Sequence, residues 1–213
     1  MFDYLSHCRQ VVAAVAPELR CQIVAAESLP PSWAPSGPWD GFAVPHITQS
    51  VAAAMGLADT VPAIVLNFDA IENVTSVLLH ELSHCLPVSD RHQVVATERD
   101  LETVQSRFVA KLSNPPAVGS ALPWQEDHDA AWCRRALHLW CRAEAAGFPS
   151  PLNELFGYDF QISPATMYLP AVAGEAARMM GATFAEIETT PNPIAALWSD
   201  DVAWWKTVRK ENQ

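Results

Sequence analysis

Asn73-Val74-Thr75-Ser76-Val77-Leu78-Leu79-His80-Glu81-Leu82-Ser83-His84-Cys85-Leu86-Pro87 is the stretch that decides how this chain reads. On a helical wheel Val74, Leu78, Leu82 and Cys85 share one side, and Ser76, His80, Ser83 and His84 fall on the other. Asn73 suits an N-cap and Pro87 a stop, so a helix is expected from Val74 to Cys85 with its apolar side in the core and both histidines facing a cleft. Residues four apart on a helix lie on one face, about 6 Å apart along the axis at ~1.5 Å per residue. His80 and His84 can therefore hold one metal ion between them, and Glu81 beside them can take a proton from water. The ordinary alternative is a pair of surface histidines on an amphipathic helix.

Outward from this helix, Pro62–Phe68 is the strongest strand signal and leads directly into it. Residues 3–16 read as an amphipathic helix and Cys21–Ala25 as a short strand. A proline- and tryptophan-rich loop over 29–45 carries a strand at Gly41–Val44, and a short helix is expected over 48–55. After the motif come a helix from His92 to about Lys111 and a breaker-rich connection around Asn114–Pro123. The next helix has Glu126, Asp127 and Asp129 in its first turn, Arg142 in its last and Gly147-Phe148-Pro149 at its end. A helix over Pro164–Met180 and a tail with Trp198, Trp204 and Trp205 follow. The expected class is α+β, with a core over 1–150 and a helical extension over 151–213 packed upon it.

Composition narrows the function classes. In 213 residues half are hydrophobic and 17% charged, which fits a packed domain and excludes general disorder. A net charge of −11 with scattered basic residues argues against nucleic-acid binding. No stretch offers the ~20 apolar residues of a membrane span, and the N-terminus lacks the pattern of a signal peptide. Five cysteines (8, 21, 85, 133 and 141) form no CxxC pair and read as reduced thiols of a cytoplasmic protein. Cys85 reads as a small core residue.

A zinc hydrolase needs a third protein ligand and an open position for water. His128 stands at the start of the punctuated helix, whose apolar face (Trp132, Ala136, Leu139, Trp140) can dock on the core. His138, ten residues on and roughly 15 Å up the axis, cannot share a metal with it. His92, Glu98, Glu102 and Asp129 remain alternatives for the third position, and His7 and His46 read as structural.

His80-Glu81-Leu82-Ser83-His84, followed by His128-Asp129-Ala130-Ala131-Trp132 at a helix start, resembles the minimal zincins of the SprT-like class. The resemblance covers roughly residues 60–146. It implies a zincin-like core of small sheet, HExxH helix and ligand-bearing helix. It also implies Zn²⁺ on His80, His84 and His128, Glu81 as general base, and a protein or peptide substrate. Asp129 stands where that class often has glycine, and the chain has no cysteine-rich ribbon or basic tail, so no DNA-linked role is carried over. The expectation is a zinc-dependent peptidase, and the alternative a regulatory or protein-binding module on the same scaffold.

Overall fold

The computed structural model describes residues 3–33, 39–86, 128–156 and 164–211. In chain order these form α1 (Tyr4–Val15), β1 (Gln22–Ala25), β2 (Gly41–Val44), α2 (Gln49–Met55), β3 (Ala63–Leu66) and α3 (Val74–Cys85). Then follow α4 (Ala130–Ala145), α5 (Leu152–Leu155), α6 (Pro164–Arg178), α7 (Phe184–Thr189) and α8 (Ala195–Glu211). The class is α+β, as the sequence implies. The helix expected over His92–Lys111 lies outside the described residues.

The three described strands form one mixed sheet in the order β1-β3-β2. β3 runs parallel to β1, with Gln22 opposite Ala63, and antiparallel to β2, with Gly41 opposite Leu66. All four β3 residues are buried, because the sheet is covered on both faces. Side chains alternate across a strand: Ile64 and Leu66 join the large core under the helices, while Val65 joins a smaller one with Trp33, Phe42, Val51 and Met55. This explains why Ala63–Leu66 reads as an unbroken apolar run rather than an alternating one. At Gly41 a Cβ would stand 3.0 Å from the Val65 carbonyl and from Val77 of α3, so glycine is what lets β2 lie this close.

The caps of α3 are those the sequence suggests: the Asn73 side chain accepts the Ser76 N–H at 3.0 Å, and the helix ends before Pro87 with Leu86 extended. Its surroundings differ from expectation. Ser76 and Ser83, placed by the wheel on a cleft-facing side, are fully buried, because α4 and α5 pack over that side. Each hydroxyl is satisfied within the fold, Ser83 by the Leu79 carbonyl at 2.8 Å and Ser76 by Ser150 at 2.7 Å.

One feature of α4 also departs from the sequence reading. Asp129 is the N-cap rather than a first-turn residue, and its carboxylate accepts the Trp132 N–H at 2.8 Å. Arg142 stands in the last turn as expected, and its side chain reaches across to other elements. Its buried guanidinium donates to the carbonyls of Val15 (3.0 Å), Met179 (3.2 Å) and Ala182 (2.6 Å) and lies over the Phe184 ring. It thereby caps the end of α1 and the turn after α6. The far end of α4 behaves as expected: Gly147 takes φ +82°, and Phe148 N–H returns to the Ala143 carbonyl. One continuous core runs from Cys8 of α1 to Trp198 of α8, so the helices after residue 150 share the interior of those before it.

Candidate metal centre

His80 and His84 leave α3 one turn apart, and His128 enters from the residue before the cap of α4. The three rings converge: His80 Nε2 lies 3.4 Å from His84 Nε2 and 3.1 Å from His128 Nε2. One ligand atom from each lies within 4.8 Å of the others, and all three residues are half-buried. Nitrogens held ~2.0–2.1 Å from one tetrahedral zinc stand roughly 3.3 Å apart, so this spacing suits a common ion.

The protonation of His80 follows from its other side. Nδ1 lies 2.8 Å from the carbonyl of Leu155 in α5, and a carbonyl can only accept. The proton is therefore on Nδ1, and Nε2 presents a lone pair toward His84 and His128. An imidazole N–H could satisfy that lone pair from one neighbour, but one lone pair does not serve both. A cation accepts from all three at once. The donor set fits a borderline-soft divalent metal such as zinc.

Trp132 holds the rings in place. Four residues after His128, it is buried, and its ring centroid lies 4.5, 4.9 and 5.5 Å from those of His128, His80 and His84. Phe156 packs edge-on against its far side at 5.5 Å. Arg135, one turn further along α4, donates through Nε to the Ser83 carbonyl at 2.9 Å and pairs with Glu188 of α7 at 2.9 Å. This ties the last turn of α3 to α4 and α7.

Glu81 lies seven residues after Val74, at the edge of the same helical stripe, and is buried where α3 packs against edge strand β2. Burial pushes its carboxyl up to about 8, opposed by the Ala43 backbone N–H that donates to it and reinforced by the nearby Asp40 charge. A cation at the histidines would favour the ionised form.

The remaining sequence candidates separate cleanly. Asp129 spends its carboxylate on the α4 cap and is no member of the histidine cluster. His92, Glu98 and Glu102 lie outside the described residues. His138 is fully buried between α4 and α6, against Glu175. His7 meets Thr75 Oγ1 at 3.0 Å and the Phe148 ring edge-on, while His46 is exposed after β2. Cys85 is a core residue whose thiol burial raises well above its usual range, and all five cysteines are unpaired. Sequence reasoning missed the Leu155 carbonyl and the Ala43 N–H. Backbone groups leave no residue-type signal, so nothing in the sequence could have named them.

Comparison with protein-family models, with curated proteins and with solved structures finds no match. Among the described residues no helix is long and apolar enough to cross a membrane.

Proposed function

We propose that this chain is a zinc-dependent peptidase with a zincin-like core of the SprT-like kind. His80, His84 and His128 hold the ion, and Glu81 acts as general base. The observation that carries the reading is the meeting of three imidazole nitrogens at ligand spacing, with His80 already committed to the metal-binding tautomer by the Leu155 carbonyl. Such a constellation with three protein ligands leaves a position open, as catalytic rather than structural zinc sites do. A purely structural site has no use for an intact, buried glutamate next in sequence to His80.

Zinc bound there supplies Lewis acidity, which polarises a scissile carbonyl and makes water a nucleophile near neutral pH. Glu81 takes the proton released as water attacks the carbonyl carbon and passes it to the departing amine nitrogen. The Ala43 N–H fixes the carboxylate against β2, so the base does not have to be ordered at each turnover. Trp132 and Phe156 keep the ligand side of the centre apolar, which strengthens charge interactions within it. The substrate is a protein or peptide, the acidic chain has no call for nucleic acid, and the unpaired cysteines suit the cytoplasm.

The test has two parts. Elemental analysis of protein reconstituted with zinc should find about one ion per chain, as one three-ligand site requires. A peptide library should be cleaved without chelator and spared with it, and Glu81→Gln should keep its zinc while hydrolysis falls ~10²–10⁴-fold. Failure to retain any transition metal would sink the centre. Zinc without cleavage would turn the reading to a binding module on this scaffold.

A further inference from the structure

The geometry points to Ser150 as a positioning residue of the histidine centre: its hydrogen bond with Ser76 holds α5 where the Leu155 carbonyl keeps the His80 proton on Nδ1. This rests on the metal-centre reading above and extends it to residues outside the HExxH and His128 motifs.

Ser150 is buried and uses every polar group it has. Its N–H donates to Glu144 at 2.9 Å, its carbonyl accepts the Trp140 indole N–H at 2.8 Å, and its hydroxyl meets Ser76 at 2.7 Å. The first two bonds fix it to α4 and the third to α3. Ser76 in turn reaches Glu154 of α5 at 3.4 Å. A carboxylate oxygen accepts, so Ser76 donates to Glu154 and Ser150 donates to Ser76. Ser76 lies four residues before His80, directly below it on the same face of α3. The hydroxyl chain and the His80–Leu155 bond are thus two successive rungs between α3 and the segment 150–155.

α5 cannot hold this position unaided. It is four residues long and closes on itself through Glu154 and Leu155 N–H bonds to the Pro151 carbonyl and a Phe156 N–H bond to the Glu154 carbonyl. Its place is set by what anchors its two ends: the Ser150 joint at the start and the buried Leu155 and Phe156 side chains at the finish. Without the Ser76–Ser150 bond the start is released from α3, and the Leu155 carbonyl loses its fixed distance to Nδ1. His80 can then carry its proton on Nε2, where it opposes a cation. The supporting partner of a ligand histidine is typically worth 10–100-fold in metal affinity.

The test is read first on zinc-free protein, by long-range ¹H–¹⁵N correlation of the histidine rings. The parent should show His80 protonated at Nδ1 alone. In Ser150→Ala and in Ser76→Ala a population protonated at Nε2 should appear, and zinc affinity by chelator competition should fall roughly tenfold. Both cut the Ser76–Ser150 bond, and Ser76→Ala also loses the Glu154 contact, so the double variant should be no worse than Ser76→Ala. Tyr168→Phe, which removes the hydroxyl donated to Asp201 between α6 and α8, should cost stability without moving either readout. The proposal is overturned if the His80 tautomer and zinc affinity of Ser150→Ala match the parent, or move no more than in Tyr168→Phe. If one serine variant fails to fold, the other decides. A parent that binds no zinc would defeat the proposed function, while the ring spectra would still decide this inference.

Discussion

Helix α4 carries two histidine clusters that differ in everything but the residue. At its start, His128 meets His80 and His84, half-buried, with no carboxylate in the cluster among the described residues. Ten residues on, His138 is fully buried, its Nε2 3.4 Å from a Glu175 oxygen. That carboxylate also receives Arg134, which donates through Nε at 2.9 Å and through a terminal nitrogen, and reaches the Thr190 carbonyl at 3.0 Å. The second cluster is organised by charge: Arg134 and Glu175 are paired, both His138 ring nitrogens and Glu175 Oε2 are buried without a hydrogen-bond partner among the described residues, and burial lowers the His138 pKa. The first is three imidazoles, with one ligand nitrogen from each within 4.8 Å of the others. What makes a histidine a ligand candidate here is the convergence of ring nitrogens, not burial or a missing hydrogen bond.

The sharpest way to separate the clusters is to break the charge pair of the second. Glu175→Ala leaves Arg134 buried without its anion, which typically costs about 3–5 kcal/mol, so the urea midpoint should fall steeply. Arg134→Met with Glu175→Met removes both charges and should recover much of the loss. Zinc affinity of the folded fraction should stay at the parent's value in both. A loss of zinc in step with stability would show that the two clusters act as one unit.

The reverse experiment acts on the first cluster. His128→Ala removes one of the three converging imidazoles and should weaken zinc binding by more than the ~100-fold upper range of a supporting contact, and His138→Ala should leave it unchanged. His92→Ala, Glu98→Gln and Glu102→Gln should also leave it unchanged. If one of those three matched His128→Ala in chelator competition, the third ligand would lie in the segment 87–127.

Much of this contrast was legible in the residues. The α3 caps, the spacing of His80 and His84 and the position of His128 before a helix are local patterns, and local patterns survive folding. The strands at 22–25, 41–44 and 63–66 were legible for the same reason. What could not be read was which surfaces meet. The polar face of α3 looked like a cleft wall because nothing in its own turn shows that α4 and α5 cover it. The last-turn place of Arg142 was legible, but its partners, Val15, Met179 and Ala182, were not, because they lie 127, 37 and 40 residues away. The hydrogen bonds that finish the centre, from the Leu155 carbonyl and the Ala43 N–H, belong to backbone and have no signature in side-chain chemistry.

The pH response gives a smaller but distinct signal. Burial lowers the pKa of His138, against the pull of Glu175 and aided by Arg142 and Arg134. In the unfolded chain the same ring takes a proton near its usual 6.5. The unfolded state therefore binds more protons in the window from 6.5 down to the folded value, and stability there falls as pH falls. Above 6.5 the contribution is complete. Urea midpoints at pH 7.5 and pH 5.5 should differ more in the parent than in His138→Leu. Equal differences would mean that His138 titrates alike in the folded and unfolded chain, and a change of opposite sign would mean that it is charged in the fold, with two cations around one carboxylate.

The smallest effect expected concerns Asp129, which sits between the motif histidine and the helix that carries the second cluster. Its carboxylate caps α4 by accepting the Trp132 N–H, and Trp132 is the ring on which His80, His84 and His128 pack. Asn caps a helix about as well as Asp, whereas Ala typically costs about 1 kcal/mol. Asp129→Asn should therefore match the parent in both thermal midpoint and zinc affinity. Asp129→Ala should lose about 1 kcal/mol of stability, with a slight loss of affinity as the first turn of α4 and its Trp132 loosen. The pair of variants separates a capping carboxylate from a metal-binding one, because the amide preserves the hydrogen bond but not the charge. Were Asp129→Asn to lose zinc as severely as His128→Ala, the carboxylate would be a ligand, and the cap seen here would be a second use of the same side chain.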